Sequence, residues 1–327
     1  MFQELLNKII QASNIALFPH KNPDGDALGS TFAFKEILES LGKRAFVVFE
    51  DDEMSPILNS VVGSENNIPC DDYDLFVAID SANTDRISKK SDLFFSKGVE
   101  STIVIDHHFH SNTKFGGLNF VKDAPACGEV MYNIAQEWGV SITPSMATNM
   151  YLAIVFDTIN FSISNVTPST LIAGAELLKL GADMDKVQLQ FKLKSPSQIR
   201  LRNVLFENST IKDGLAHTYC TLNELDISGA TAGDCEGLVN EFAYIQGIKV
   251  AMLFRKLHDG EFKVSLRSNS DKFDVNAFAA IFGGGGHVRA AGCTILDVDF
   301  FETMAKFVDG ARVWLDNDGD LSKVNGL

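Results

Sequence analysis

Four short apolar runs, NIALF (14–18), RAFVVF (44–49), LFVAID (75–80) and TIVID (102–106), recur in the first third of the chain, separated by segments of helical period. Uninterrupted runs of this kind need both faces buried, and a parallel sheet covered by helices is the architecture that buries them. Helices are predicted at about 28–41, 128–138 and 145–156, with Gly42 and Gly139 placed to end the first two. The pattern predicts an α/β N-terminal domain, a parallel sheet flanked by helices. In open sheets of this type ligands gather beyond the carboxyl ends of the strands.

Those ends carry an unusual set of side chains. NIALF runs into PHKNPDGD, with His20, Asp24 and Asp26; LFVAID ends on Asp80; TIVID ends on Asp106, followed by His107 and His108; the apolar segment YLAIVF ends on Asp157. Each has an ordinary explanation when taken alone: a turn aspartate in NPDGD, a helix cap at Asp80, a solvated histidine pair. Together, separate segments send carboxylates and imidazoles to one sheet edge, where uncompensated carboxylates repel each other and lose hydration. Divalent cations resolve that conflict. Oxygen and imidazole donors without thiolate favour manganese or magnesium, with cobalt or zinc admissible in vitro, and so large a set suits two ions about 4 Å apart.

Downstream, residues 165–209 are predicted helical, broken by Gly181 and Pro196, and are read as a connection. HTYCTL, KVAMLFRKL and EFKVSLRSN are then predicted as antiparallel strands, with HDG (258–260) as a hairpin turn. A helix at about 274–282, the run GGGGHVRAAG, the strand CTIL and a last helix at about 299–315 complete a smaller α+β domain. The predicted organisation is a domain over 1–182, a helical linker over 183–209, a second domain over 210–316 and a loose acidic tail over 317–327. In the second domain Gly283 to Gly286 let backbone N–H groups approach an anion. Followed by His287 and Arg289 and preceded by Arg267 and Ser268, they predict an anion clamp. Arg255 and Lys256 are read either as further substrate contacts or as surface charges.

Charge narrows the ligand class. The chain carries a net −15, yet from Lys249 to Arg289 seven basic residues face four acidic ones, leaving +3 there and −18 elsewhere. That balance opposes broad binding to long duplex nucleic acid and suits a small anionic substrate. The five cysteines are scattered without a C-x-x-C pair, against a disulfide framework or a zinc–thiolate site. No apolar stretch approaches the roughly 18 residues of a membrane span, and MFQELLNKIIQ lacks the zones of a signal peptide, so a cytoplasmic protein is expected.

The ordered set His20-x-Asn22-Pro23-Asp24-Gly25-Asp26, Asp80, Asp106-His107-His108 and Asp157 resembles the four motifs of the DHH phosphoesterase superfamily. SLRS (265–268) and GGGGHVRAAG (283–292) resemble its DHH-associated C-terminal domain, so the resemblance spans nearly the whole chain. It is most specific for bacterial oligoribonucleases (nanoRNases), which also act on 3′-phosphoadenosine 5′-phosphate; RecJ exonucleases, family II pyrophosphatases and exopolyphosphatases are more distant. The resemblance implies two divalent ions, manganese first, with magnesium or cobalt as substitutes. His20, Asp24 and Asp80 would hold one ion, and Asp26, Asp80, His107 and Asp157 the other, with a water between the ions as nucleophile. His108 would donate to a substrate phosphate and Asp106 would orient a histidine. Arg267, Ser268, Gly284, Gly285, Gly286, His287 and Arg289 would hold the nucleotide and its terminal phosphate. The implied activity is hydrolysis of short single-stranded oligonucleotides or of the nucleoside bisphosphate in a cleft between two domains, with room for a homodimer and no membrane partner. Exopolyphosphatase or pyrophosphatase activity is the alternative, and a catalytically silent nucleotide-binding module is the second alternative.

The chain departs from the family pattern in two places. Where the family reads Asp-Thr-Gly, with a basic residue after the following Phe, this chain has Asp157, Thr158, Ile159, Asn160, Phe161 and Ser162. Cys127 and Gly128 stand where hydroxyl residues are common. The first departure implies altered substrate contacts, the second an altered helix cap.

Overall fold

The computed structural model describes residues 1–48, 72–87, 91–108, 114–258, 260–296 and 299–324. They divide into two compact units, Met1–Leu193 and Lys194–Leu327. In the first, β1 (Asn14–Phe18), β2 (Arg44–Val47), β3 (Leu75–Ile79), β4 (Thr102–Asp106) and β5 (Leu118–Val121) form one parallel sheet in the order β2-β1-β3-β4-β5. Successive side chains of a strand point to opposite faces, and both faces here are apolar. Ile15, Leu17, Val77, Ile79, Ile103 and Ile105 join one core, while Ala16, Phe18, Phe76, Ala78 and Val104 join another on the opposite face. The expected helix-flanked parallel sheet is present for this reason. β5 was not anticipated, because its four residues include a single fully buried one, Phe120, and carry no readable period. Phe49, at the end of the second predicted strand, lies outside the described residues.

Among the described residues the α-helices of this unit are α1 (Phe2–Gln11), α2 (Gly25–Ser40), α3 (Ser91–Phe94), α4 (Cys127–Glu137), α5 (Pro144–Asp157), α6 (Pro168–Lys179) and α7 (Met184–Lys192). α2 starts three residues earlier than the apolar pattern indicated, since Asp24 caps it: its Oδ1 accepts from the N–H groups of Asp26 and Ala27 at 3.0 and 3.1 Å. α2 and α5 touch backbone to backbone. A Cβ on Gly29 would lie 2.4 Å from the Asn149 carbonyl oxygen, and one on Gly25 2.4 Å from the Phe156 ring. Glycine at these two positions therefore sets the spacing of the helices that bear Asp26 and Asp157.

The second unit holds a mixed sheet in the order β10-β11-β9-β8-β7-β6, built from β6 (Thr210–Lys212), β7 (Leu215–Cys220), β8 (Val250–His258), β9 (Glu261–Ser268), β10 (Gly285–His287) and β11 (Ala290–Leu296). The expectation of purely antiparallel strands needs correction. β7 and β8 run parallel, because the chain between them is a crossover carrying helices at Leu222–Ser228 and Leu238–Ala243, and a parallel pair cannot be joined by a tight turn. β8 and β9 do pair antiparallel about the predicted hairpin, whose Asp259 lies outside the described residues.

Val264, Leu266, Phe278, Phe307 and Trp314 fill one face of this sheet. Leu201, Leu205, Leu225, Val239 and Phe242 fill the other.

The stretch read as a linker is shared between the units. In α7, Val187 is buried in the first core, and Gln188 donates to the Asn160 side chain. The helix Pro196–Glu207 packs Leu201 and Leu205 into the second core. The supposed tail also folds back: Asp318 pairs with Lys272, Leu321–Lys323 forms a short turn, and Val324 is buried against the second core. Residues 325–327 lie outside the described set. Among the described residues no helix is long and apolar enough to cross a membrane.

α5 ends in an uncommon backbone. Ile159, Asn160 and Phe161 all have positive φ, at 46°, 57° and 59°. A β-branched residue in the left-handed region is strained by its own Cβ, and Ile159 is half exposed, so burial does not offset that strain. Ile159→Gly is expected to raise stability by about 1 kcal/mol, the lost strain exceeding the added chain entropy. A denaturant midpoint unchanged or lowered in the variant would contradict this.

Candidate metal centre

The sheet order places a topological switch between β1 and β3, and the side chains singled out in the sequence converge at the carboxyl ends of β1, β3 and β4. Asp80 follows β3 with φ of 56°, an uncommon conformation for a residue other than glycine, held by its N–H donating to the Ile105 carbonyl at 3.0 Å. This geometry turns a fully buried strand end into a carboxylate facing two histidines. His20 Nε2 lies 3.6 Å from Asp24 Oδ2 and 3.8 Å from Asp80 Oδ2. His107 Nε2 lies 3.3 Å from Asp80 Oδ1, 3.3 Å from Asp157 Oδ2 and 3.6 Å from Asp26 Oδ2. Two groups of three result, His20–Asp24–Asp80 and Asp26–His107–Asp157, each with ligand atoms within 4.8 Å of one another. Asp80 reaches both, through different oxygens.

The donor chemistry fits cations. His20 Nδ1 is 2.7 Å from the Lys21 carbonyl and His107 Nδ1 is 3.0 Å from the Ala124 carbonyl. A carbonyl can only accept, so each Nδ1 donates its proton there, and each Nε2 faces inward as the available ligand atom. Among the described residues His107 Nε2 and Asp80 Oδ1 are buried with no hydrogen-bond partner, a cost that ligation would remove. Neighbouring ligands in an octahedral shell of about 2.1 Å radius sit about 3 Å apart, close to the separations around His107.

Asp106 behaves differently. Its Oδ1 accepts from the N–H of His107 at 2.7 Å, the N–H of His108 at 3.0 Å and His108 Nδ1 at 2.7 Å. An oxygen with three donors, one of them the ring N–H of His108, is an orienting group. The further group Asp80–Asp106–His107–His108, although compact, is for this reason the least suited to hold an ion.

Asp26 is fully buried and is the best-supported carboxylate of the set. Its Oδ1 accepts from Ser30 Oγ at 3.0 Å and Gly128 N at 2.9 Å, and its Oδ2 from Cys127 N at 2.7 Å. α4 begins after Ala126, which cannot cap it, so an aspartate about a hundred residues upstream caps it instead. No motif points to Ser30 or to these N–H groups as supports; the one signal in the sequence is the absence of a capping side chain at Ala126. Gly128 is also fixed sterically, because a Cβ there would lie 2.4 Å from Ala153 Cβ. The departure at Cys127 and Gly128 thus lets α4 approach α5 and cap itself with Asp26.

Without a cation, protons hold the cluster together. Burial alone would lower the His107 pKa, but the carboxylates of Asp80, Asp26 and Asp157 outweigh it and push it up to about 11. Burial and the Asp80 charge push Asp157 up to about 7, and burial with Asp80 and Asp157 carries Asp26 well above the carboxylate range. Asp24 is held low despite burial by its hydrogen bond with His20, and Asp106 likewise by His108.

In the second unit, Arg267 pairs with Ala290 across β9 and β11, and Ala290 pairs with His287 across β11 and β10. Arg267 and His287 therefore lie on one face of the sheet with a single small residue between them. Arg267 Nε donates to Asn240 Oδ1 at 2.7 Å, a positioning contact not foreseen from sequence. Gly285 and Gly286 open the edge strand β10, while the N–H groups of Gly283 and Gly284 donate to the Ala280 and Ala279 carbonyls and close the helix Val275–Ala280. A Cβ on Gly284 would lie 2.3 Å from the Gly292 carbonyl oxygen, and one on Gly286 2.5 Å from that of Ala290, while Gly285 is unobstructed. Ser268 is buried and closes a turn, donating to the Ser270 carbonyl, and Arg289 pairs with Asp271 at an exposed position. Arg255 donates to the Ala232 carbonyl.

Family profiles match residues 14–154 as "DHH family, N-terminal domain" and residues 216–311 as "DHHA1 domain". Over 312 residues the chain is 30% identical to the bifunctional oligoribonuclease and PAP phosphatase NrnA of Thermus thermophilus, covering 94% of this chain and 92% of that one. The chain belongs to the DHH family. It is also 28% identical to the Bacillus subtilis protein of the same name over 308 residues, covering 91% and 95% of the two chains. The solved structure of an exopolyphosphatase-related protein from Bacteroides fragilis matches with a TM-score of 0.82 at 25% identity, over 98% of this chain and 96% of that one. As a DHH-family protein with relatives of these activities, the chain is a phosphoester hydrolase.

The raised pKa values of His107 and Asp157 set protons in competition with a cation at this DHH centre, and raising the pH reduces that competition. The rise in Tm caused by Mn²⁺ is expected to be larger near pH 8 than near pH 6. Asp80→Asn, whose side chain tolerates the left-handed backbone, should abolish the rise. Equal shifts at the two pH values would contradict proton competition.

Proposed function

We propose that this DHH hydrolase cleaves short single-stranded oligonucleotides and 3′-phosphoadenosine 5′-phosphate in the cytoplasm, with two divalent ions, manganese first, as cofactors. His20, Asp24 and Asp80 would hold one ion and Asp26, Asp80, His107 and Asp157 the other. When bound, the ions supply an activated water and neutralise charge on the phosphoryl oxygens. The observation that carries the reading is the pair of inward-facing Nε2 atoms on His20 and His107 with Asp80 between them.

The chain's own residues divide the remaining work. Asp106 fixes the His108 ring through Nδ1, which readies that imidazole to donate to a phosphate oxygen of the substrate. Asp26, fastened by Ser30 and the first N–H groups of α4, keeps its position as charge at the site changes. Arg267, braced by Asn240, and His287 on the same sheet face would bind the nucleotide's phosphate. Ser268 and Arg289 would act mainly through the shape of that region, given their contacts to Ser270 and Asp271. Support for nucleotide substrates comes from the names of the Thermus and Bacillus relatives.

A substrate panel with Mn²⁺ tests the proposal: an RNA dinucleotide, a five-residue RNA, 3′-phosphoadenosine 5′-phosphate, a long duplex and inorganic polyphosphate. Chelator-sensitive release of mononucleotide from the short RNAs and of phosphate from the bisphosphate is expected, with the duplex resistant. Asp106→Asn should lower kcat by about 10- to 100-fold with Mn²⁺ still bound. Arg267→Gln should chiefly raise KM, by about tenfold for one lost charged contact. Turnover of polyphosphate alone would replace this proposal with the exopolyphosphatase reading.

A further inference from the structure

We propose that Cys220 and Cys235 form a reversible disulfide when the protein meets a hydroperoxide, a modification site in the DHHA1 unit independent of the metal centre. The scattered cysteines gave no sign of a pair, yet the fold brings these two Sγ atoms to 3.5 Å. Cys220 is the last residue of β7, and Cys235 closes the 3-10 turn Ala232–Cys235 in the crossover that returns the chain to β8. Forming the bond takes the sulfurs from 3.5 Å to about 2.05 Å, a short side-chain movement. Cys127 and Cys293 are buried in other clusters, so the pairing is specific among the described cysteines.

The surroundings differentiate the two thiols. Arg255 stands opposite Cys220 in the β7–β8 register, and its Nη1 donates to the Ala232 carbonyl, bringing the guanidinium to the turn that carries Cys235. Its buried Nε finds no hydrogen-bond partner among the described residues. A thiolate at Cys235 supplies the missing acceptor. The Cys220 thiol and the Arg255 guanidinium hold the Cys235 pKa below the ordinary thiol value, whereas the Cys235 hydrogen bond and burial push Cys220 up. Cys235 is therefore the nucleophile and Cys220 the resolving thiol. Cys235 is 3% exposed, but residues 231–233 just before it are exposed, so opening one turn admits a molecule as small as hydrogen peroxide.

The chemistry balances. The Cys235 thiolate attacks a peroxide oxygen; an S–O bond forms, the O–O bond breaks, and the departing hydroxide takes the proton that Cys235 released and leaves as water. Cys220 Sγ then attacks the sulfenic sulfur; the S–S bond forms, the S–O bond breaks, and the leaving hydroxide carries the Cys220 proton away as a second water. Two electrons pass from the sulfur pair to the peroxide. The product closes a loop around the helix Leu222–Ser228 and staples β7 to its crossover, and a thiol reductant reverses it.

The test uses the full-length folded protein, treated with hydrogen peroxide, quenched, alkylated under denaturing conditions and mapped by mass spectrometry. A peptide joining Cys220 to Cys235, lost on reduction, is expected, with a Tm several degrees above that of the reduced protein. Arg255→Gln should slow its formation several-fold while the reduced variant keeps the wild-type circular dichroism spectrum. Cys235→Ser should leave Cys220 alkylatable after the same treatment. Alkylation of both cysteines in the treated wild-type protein, or their stepwise conversion to sulfinic and sulfonic acids without linkage, would overturn the proposal.

Discussion

Three carboxylates, Asp26, Asp80 and Asp157, face the Nε2 atom of His107 at 3.3 to 3.6 Å in a largely buried pocket, and the first unit is organised around that concentration of charge. A like-charge pair at about 4 Å costs about 4 kcal/mol at an effective dielectric constant of about 20. Several such pairs would consume the 5–15 kcal/mol by which domains are typically stable. The cluster must therefore carry compensating positive charge in every folded state. The surrounding carboxylates and burial push His107 and Asp157 toward their protonated forms, and divalent ions would supply the compensating charge in the active protein.

Keeping those charges in place requires a rigid frame, and the frame is made from ordinary parts. Glycines at 29 and 128 bring α2 and α4 into backbone contact with α5, and Gly25 makes room for the Phe156 ring, so Asp26 and Asp157 stand on closely packed elements. The α4 N-terminus, uncapped by its own residues, donates two N–H groups to Asp26. Asp80 accepts a left-handed backbone at the end of an all-apolar strand, the kind of local strain that persists where surrounding structure fixes it. Backbone carbonyls at Lys21 and Ala124 select the histidine tautomers. The same economy appears in the DHHA1 unit, where close backbone approach requires glycine at 284 and 286.

Much of this was legible in the sequence because the informative residues sit at strand ends. NIALF, LFVAID and TIVID announce two-sided burial, and the polar residues just past them had to gather at one edge of a parallel sheet. Elements governed by tertiary contact were not legible. β5 is too short to show a period, and the direction of β7 relative to β8 depends on a crossover that strand alternation does not encode. The acidic segment after residue 316 reads as loose until Val324 is seen in the second core. Asp24 illustrates how two readings of one residue can both hold: it caps α2 with Oδ1 and presents Oδ2 to His20. Cys220 and Cys235 meet through the path of the crossover, which no local motif records.

The proposed function requires one carboxylate, Asp80, to join two cation sites. Electron paramagnetic resonance of the protein titrated with Mn²⁺ tests it most directly, because two ions sharing a carboxylate are spin-coupled. Two ions bound per chain, a coupled signal at saturation and its loss in Asp80→Asn are expected. A single bound ion per chain, or two ions with uncoupled spectra, would contradict it.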